Sequence, residues 1–118
     1  MTRHDLSREE KAAQIATQLK AGFEYLQGQP ISISAAGRKY DVPQPTISRW
    51  VKKNYIEILG YEKNRTLLNE ADVAYAAEVY RLRKLECGQM SGIRIFTKEG
   101  YPYLVKYPDL ASKRRERD

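Results

Sequence analysis

Between Tyr40 and Thr46 the chain reads Tyr-Asp-Val-Pro-Gln-Pro-Thr, and no α-helix can run through that stretch. A proline inside a helix costs about 3 kcal/mol, because it removes an amide donor and its ring meets the carbonyl one turn back. At a helix start the same residue is harmless, since the missing amide has no helical partner to lose. Pro43 and Pro45 therefore mark the N-terminus of a helix, Gln44 to Lys53, and stiffen the chain leading into it. Just upstream, Ser34 can cap a short helix over Ala35 to Tyr40, which leaves Asp41 where the chain must turn. Two short helices across one tight turn are predicted, and aspartate tolerates the left-handed backbone such a turn needs better than most residues.

Two crossing helices must share apolar residues. Ala36, Tyr40, Val42, Ile47 and Trp50 supply them, and Gly37 is small enough to let the two backbones approach. On the second helix Ile47, Trp50 and Val51 fall at i, i+3 and i+4 and predict one buried side. That phase makes Trp50 a core residue rather than a base-stacking one. Gln44, Pro45, Ser48, Arg49 and Lys52 fall on the opposite side, with Thr46 and Lys53 on the flanks.

Charge matters at this point. From Arg38 to Lys53 there are five cations (Arg38, Lys39, Arg49, Lys52, Lys53) against the single acid Asp41, in a chain of net charge +6 and pI near 9.5. A basic balance favours an anionic partner but proves little alone. A polar, cationic helix face that is short-chained at its N-terminus can enter a DNA major groove closely, where Gln44 and Arg49 can make bidentate contacts to bases. Ser48 and Thr46 suit phosphate oxygens or thymine methyls, and Lys52 and Lys53 suit backbone phosphate, which adds affinity without sequence information. Arg38 and Lys39 are either phosphate contacts or a solvated helix face.

The quoted residues also carry a resemblance. "AAGRKYDVPQPTISRW" resembles the helix-turn-helix of regulators, excisionases and pipsqueak-type or transposase DNA-binding domains, and the lead-in "ISISAAGRKYDVP" resembles the pipsqueak type in particular. It departs at Asp41, where the turn usually carries glycine. Through "VKKNYIEILGYEKNRTLLNEADV" the chain is similar to the MerR-like winged helix of excisionases, in which the recognition helix runs into a two-stranded wing. The resemblance reaches roughly residues 31–80. It implies a winged helix-turn-helix, mainly α with small β-hairpins, and a wing over 55–68 whose tip, Lys63, Asn64 and Arg65, meets a groove or phosphate, or is only a soluble turn.

Elsewhere the patterns are plainer. Ser7 and Glu10 form a capping box, and Ala12, Ile15, Ala16, Leu19, Phe23 and Leu26 recur at helical spacing, predicting a helix from Arg8 to Gln27. Asn69, with Asp72 three residues on, caps a helix from Glu70 to Glu86 closed by Gly88. Its apolar residues spread widely enough to pack on the domain and also meet a partner chain. "GIRIFTKEGYPYLVKY" predicts a second hairpin turning at Lys98-Glu99-Gly100, with Tyr101, Tyr103 and Tyr107 on one face, a core or oligomer surface more than a nucleotide-stacking one. "ASKRRERD" cannot build a core and reads as a basic tail. The organisation expected is a winged helix-turn-helix domain over 1–88, then the hairpin and tail over 89–118.

Several functions lack their residues. Cys87 and His4 are the only cysteine and histidine, too few for a disulfide or a zinc site. There is no Gly-rich phosphate loop or Ser-His-Asp set, and "YPDL" at Tyr107–Leu110, which resembles part of a nuclease motif, has no Glu-x-Lys partner after it. We expect no catalysis, no cofactor and no metal. Without an apolar run of membrane-span length or a signal-peptide core, the expected location is cytoplasmic, nucleoid-associated if bacterial. The function expected is sequence-specific binding of double-stranded DNA by a homodimer or higher homo-oligomer, as a small transcriptional regulator or an excisionase-like factor of a mobile element. The alternative is a phage packaging or assembly subunit that carries the helix-turn-helix on an oligomerisation region. A third reading is a protein-interaction adaptor that keeps the fold without DNA.

Overall fold

A computed structural model describes residues 8–88 and 94–104. Its elements run α1 (Arg8–Ala21), a 3-10 turn (Glu24–Leu26), β1 (Pro30–Ser32), α2 (Ile33–Tyr40), α3 (Gln44–Lys52), β2 (Ile58–Glu62), β3 (Arg65–Asn69) and α4 (Glu70–Cys87). This is a mainly helical winged helix-turn-helix with a small antiparallel sheet in the order β1-β3-β2.

α1 buries Ala12, Ile15, Ala16 and Leu19, the predicted stripe. It stops at Ala21 rather than Gln27, because the amides of Gly22 and Phe23 reach back only three residues, to Leu19 O at 3.2 Å and Lys20 O at 3.0 Å. The tighter winding that follows sets Leu26 into a small apolar cluster with Ala71 and Ala74 of α4, with Phe23 packed against it. The Ser7 cap lies outside the described residues.

β1 is an element that the sequence patterns did not predict. It pairs antiparallel with β3 in the register Pro30↔Asn69, Ile31↔Leu68 and Ser32↔Leu67. It also shifts the next helix. The cap of α2 is Ser32, not Ser34: leaving a strand, Ser32 already has the extended backbone of a cap (φ −76°, ψ 161°), and its Oγ accepts from the Ala35 amide at 3.2 Å. Ser34 lies inside the helix.

Asn69 joins the sheet to α4. Its Oδ1 accepts from the Gly28 amide at 3.0 Å and the Ala71 amide at 3.3 Å, and its Nδ2 donates to Glu57 Oε1 at 3.2 Å. It caps α4 as predicted, but Asp72 turns elsewhere and accepts from the Glu57 amide at 2.9 Å. Gly88 closes the helix with its amide on Lys84 O, and Cys87 is the last helical residue.

One apolar core draws on every helix and on segment 94–104. Ile95, Phe96 and Leu104 belong to the same cluster as Ile15, Ile47, Trp50, Leu68 and Val73. Phe96 stacks on Tyr75 (5.1 Å between centroids) and stands edge-on to Tyr55 (4.8 Å). Segment 94–104 turns at Lys98-Glu99-Gly100 as predicted, with Gly100 at φ 84°, but its ladder is a single bridge, Phe96↔Pro102. Pro102 and Leu104 face the core, and of the tyrosines predicted to share the other face, Tyr101 is half-buried and Tyr103 is exposed. One side of an extended segment must go in, and the side without phenol hydroxyls to satisfy does so. Tyr107 and the basic tail lie outside the described residues.

α4 is covered on more sides than one partner-free face would suggest. Val73, Ala74, Ala76 and Val79 are buried, and α1, the 3-10 turn, α2 and β3 all contact the helix.

Candidate nucleic-acid interface

The turn between α2 and α3 sets the geometry of the interface. Asp41 adopts left-handed backbone (φ 55°, ψ 51°), and its amide and that of Val42 both reach Gly37 O. A Cβ at residue 37 would stand 3.0 Å from Val42 O and 3.3 Å from Gln44 Cγ, so only glycine admits this crossing without displacement. Pro43 is the cap of α3, and its carbonyl accepts from the Thr46 and Ile47 amides at 3.0 and 3.2 Å. Pro45 lies in the first helical turn, where its missing amide costs nothing.

α3 ends one residue earlier than predicted, with Lys53 as its C-cap. Asn54 follows at φ 64°, its amide on Val51 O and the Tyr55 amide on Trp50 O, both at 3.0 Å. This double closure satisfies carbonyls that a helix end leaves bare, and it aims Tyr55 back toward the core.

The two faces of α3 separate as their spacing predicted. Ile47 is fully buried, Trp50 is 5% exposed and edge-on to Tyr80 at 5.6 Å, and Val51 is half-buried. Gln44, Pro45, Arg49, Lys52 and Lys53 are exposed, and Thr46 and Ser48 are half-buried. Arg49 Nη2 donates to Thr46 Oγ1 at 3.2 Å, which lays the guanidinium along the helix toward its N-terminus.

The wing is shorter than the predicted 55–68, because Ile56 is drawn into the core and pairing begins at Ile58. Register shifts between Ile58 and Gly60, so β2 carries a bulge against β3. Lys63 and Asn64 form the tip with φ of 47° and 67°, the two successive positive values that a two-residue hairpin needs. Lys63, Asn64 and Arg65 are all exposed there.

Lys39 has another task. Its ammonium pairs with Glu70 at the start of α4, and the Tyr40 hydroxyl donates to the same carboxylate oxygen. Burial pushes the Glu70 carboxyl up, but the hydrogen bonds from Lys39 and Tyr40 and the lysine's charge outweigh it and hold the group below the ordinary range. Burial and the same carboxylate raise the Tyr40 phenol, which keeps it a donor at neutral pH. Both predicted α2 contacts, then, are exposed, and Lys39, with about half of its side chain in solvent, also carries the ion pair to Glu70.

Two cations that sequence spacing did not single out join this surface. Arg94 and Lys98 line one cleft with Lys53, although more than forty residues separate Arg94 from Lys53 in the chain. Nothing local in the sequence announces that meeting. Among the described residues, no group of histidine, cysteine and carboxylate side chains could hold a metal, and no helix is long and apolar enough to cross a membrane.

A family model described as helix-turn-helix, Psq domain, matches residues 19–56, from the last three residues of α1 to the residue buried just before the wing. No curated protein and no solved structure matches the chain. The match spans about a third of the sequence and takes in the Gly37 crossing, the Asp41 turn and all of α3. Residues 19–56 are a helix-turn-helix DNA-binding unit similar to the Psq domain.

Proposed function

We propose that the protein binds double-stranded DNA sequence-specifically, with α3 in the major groove and the wing tip on the flanking backbone. The observation that carries this reading is the outer face of α3. Gln44 and Arg49, able to bond base edges in pairs, stand exposed beside Lys52 and Lys53, on a helix whose other face is locked into the core. Thr46 and Ser48 are the short polar contacts between them, and Arg38, Lys63, Asn64 and Arg65 are placed on phosphate or in the adjoining groove. Lys39 stands beside them, exposed but already paired to Glu70, and is the weaker of the two α2 candidates for phosphate.

One helix-turn-helix reads only a few base pairs, so we place the protein on paired or repeated half-sites as a homodimer or higher homo-oligomer. It then serves as a small transcriptional regulator or an excisionase-like factor of a mobile element rather than as an enzyme. Support for the excisionase-like form is the order of elements: helix-turn-helix, wing, then a capped helix.

Selection of bound duplexes from a random pool, repeated at rising salt, tests the reading. A shared sequence among the survivors, bound with an affinity that falls steeply with salt, is expected. Survivors without a common sequence, or binding indifferent to salt, would contradict it.

A further inference from the structure

Segment 94–104 lies beyond the helix-turn-helix match, yet it ends up against the C-terminal end of α3. Phe96 makes that placement. It fills the space between Tyr55, the second residue after the α3 cap, and Tyr75 of α4. Arg83, largely buried on α4, fixes the backbone beside it: Arg83 Nε donates to Arg94 O at 3.3 Å, and its guanidinium lies over the Tyr103 ring at 5.0 Å. The segment is held at both ends of its turn and cannot swing freely from α3.

Arg94, Phe96 and Lys98 alternate along the segment. Phe96 is sunk into the core while Arg94 and Lys98 stay exposed on either side of it. With Lys53, Tyr55 and Thr97 they surround a cleft of about 330 Å³. Its lining holds three cations and no acid, and none of the three has an ion-pair partner among the described residues. Cations gathered with no internal counter-charge repel one another unless an anion from outside lies between them.

We infer that this cleft is a second backbone-binding site, in which Arg94 and Lys98, continuing from Lys53, hold phosphodiesters of the duplex whose groove α3 enters. This rests on the DNA-binding reading proposed above and extends it to a segment outside the helix-turn-helix. Lys53 caps α3 and also lines the cleft, so a sugar-phosphate strand leaving the recognition helix meets Arg94 and Lys98 next. The contacts carry no base information: they add affinity alike to every sequence.

The test is the salt dependence of duplex binding by the full chain carrying Arg94→Ala and Lys98→Ala together. Each phosphate contact contributes about 0.9 to the slope of log affinity against log salt, so the slope should fall by about 1.8, equally for selected and random duplex. Hydroxyl-radical footprinting should show lost protection on one flanking strand only. Lys11→Glu, at an exposed cation of α1, changes the net charge by the same amount and should leave the slope nearly unchanged. Should the alanine pair fail to fold, Arg94→Gln with Lys98→Gln gives the same reading. A wild-type protein that binds duplex, beside a double variant whose slope matches it, would overturn the cleft and leave the α3 reading intact. So would an equal drop in the Lys11→Glu control. A wild-type protein that binds no duplex at any salt would overturn both.

Discussion

The α2–α3 crossing and segment 94–104 both put aromatic residues into one core and leave cations outside it, but they are specified in different ways. In the crossing the information is local. Gly37, Asp41, Pro43 and Pro45 each fix backbone within a few residues, and Ile47 and Trp50 then meet neighbours that the turn has already placed. In 94–104 only the turn at Lys98-Glu99-Gly100 is local. Phe96 finds its position through Tyr55 and Tyr75, twenty to forty residues earlier in the chain. A recognition unit can therefore be legible residue by residue while a segment that adds to its surface is not.

Phe96→Ala is the largest test of that contrast. If 94–104 is part of the core, truncation should lower unfolding free energy by about 3–5 kcal/mol in urea denaturation. A loss within about 0.5 kcal/mol, as for an ordinary surface site, would return the segment to the status of an appendage.

Glu70→Gln probes the tie between the two regions' common support, α4, and the crossing. The buried carboxylate accepts from Lys39 and Tyr40, and weakening those charged hydrogen bonds should cost about 1–3 kcal/mol at neutral pH. The pH dependence has a definite sign. The folded group sits below its ordinary value, so its contribution is complete at neutral pH and is lost as pH falls below the ordinary glutamate range. Stability curves of wild type and Glu70→Gln should converge in acid; parallel curves would remove Glu70 from the account. Asp72, raised by burial against the opposing hydrogen bond from the Glu57 amide, works in the opposite direction and is unchanged in the comparison.

The smallest effect is at the turn. Asp41 already tolerates φ 55°, so Asp41→Gly should be neutral or stabilising by no more than about 1 kcal/mol. A marked loss of stability in thermal melts would mean that the aspartate side chain, not the backbone, makes the turn.

What the sequence left unread has physical causes. β1 is three residues long, too short to show alternation, and exists only because β3 offers it a partner at Leu67 to Asn69. The early end of α1 was hidden because Phe23 and Leu26 keep helical spacing while the backbone between them winds more tightly. The ion pair of Lys39 is unreadable locally because its partner, Glu70, lies thirty-one residues on in the chain. Trp50, the Lys63-Asn64 tip and the Asn69 cap were legible because periodicity, turn chemistry and capping act within one or two turns.

The central claim is that α3 reads base pairs, and discrimination by Arg49→Ala tests it most directly. Affinities of the wild type and the variant for a selected duplex and a random one are measured at a single salt concentration. Loss of a bidentate base contact predicts that the variant loses about 1–3 kcal/mol on the selected duplex and much less on the random one. Unchanged affinity for both, or an equal loss on both, would contradict base reading by Arg49; the first result would remove α3 from the interface, and the second would make it a backbone contact.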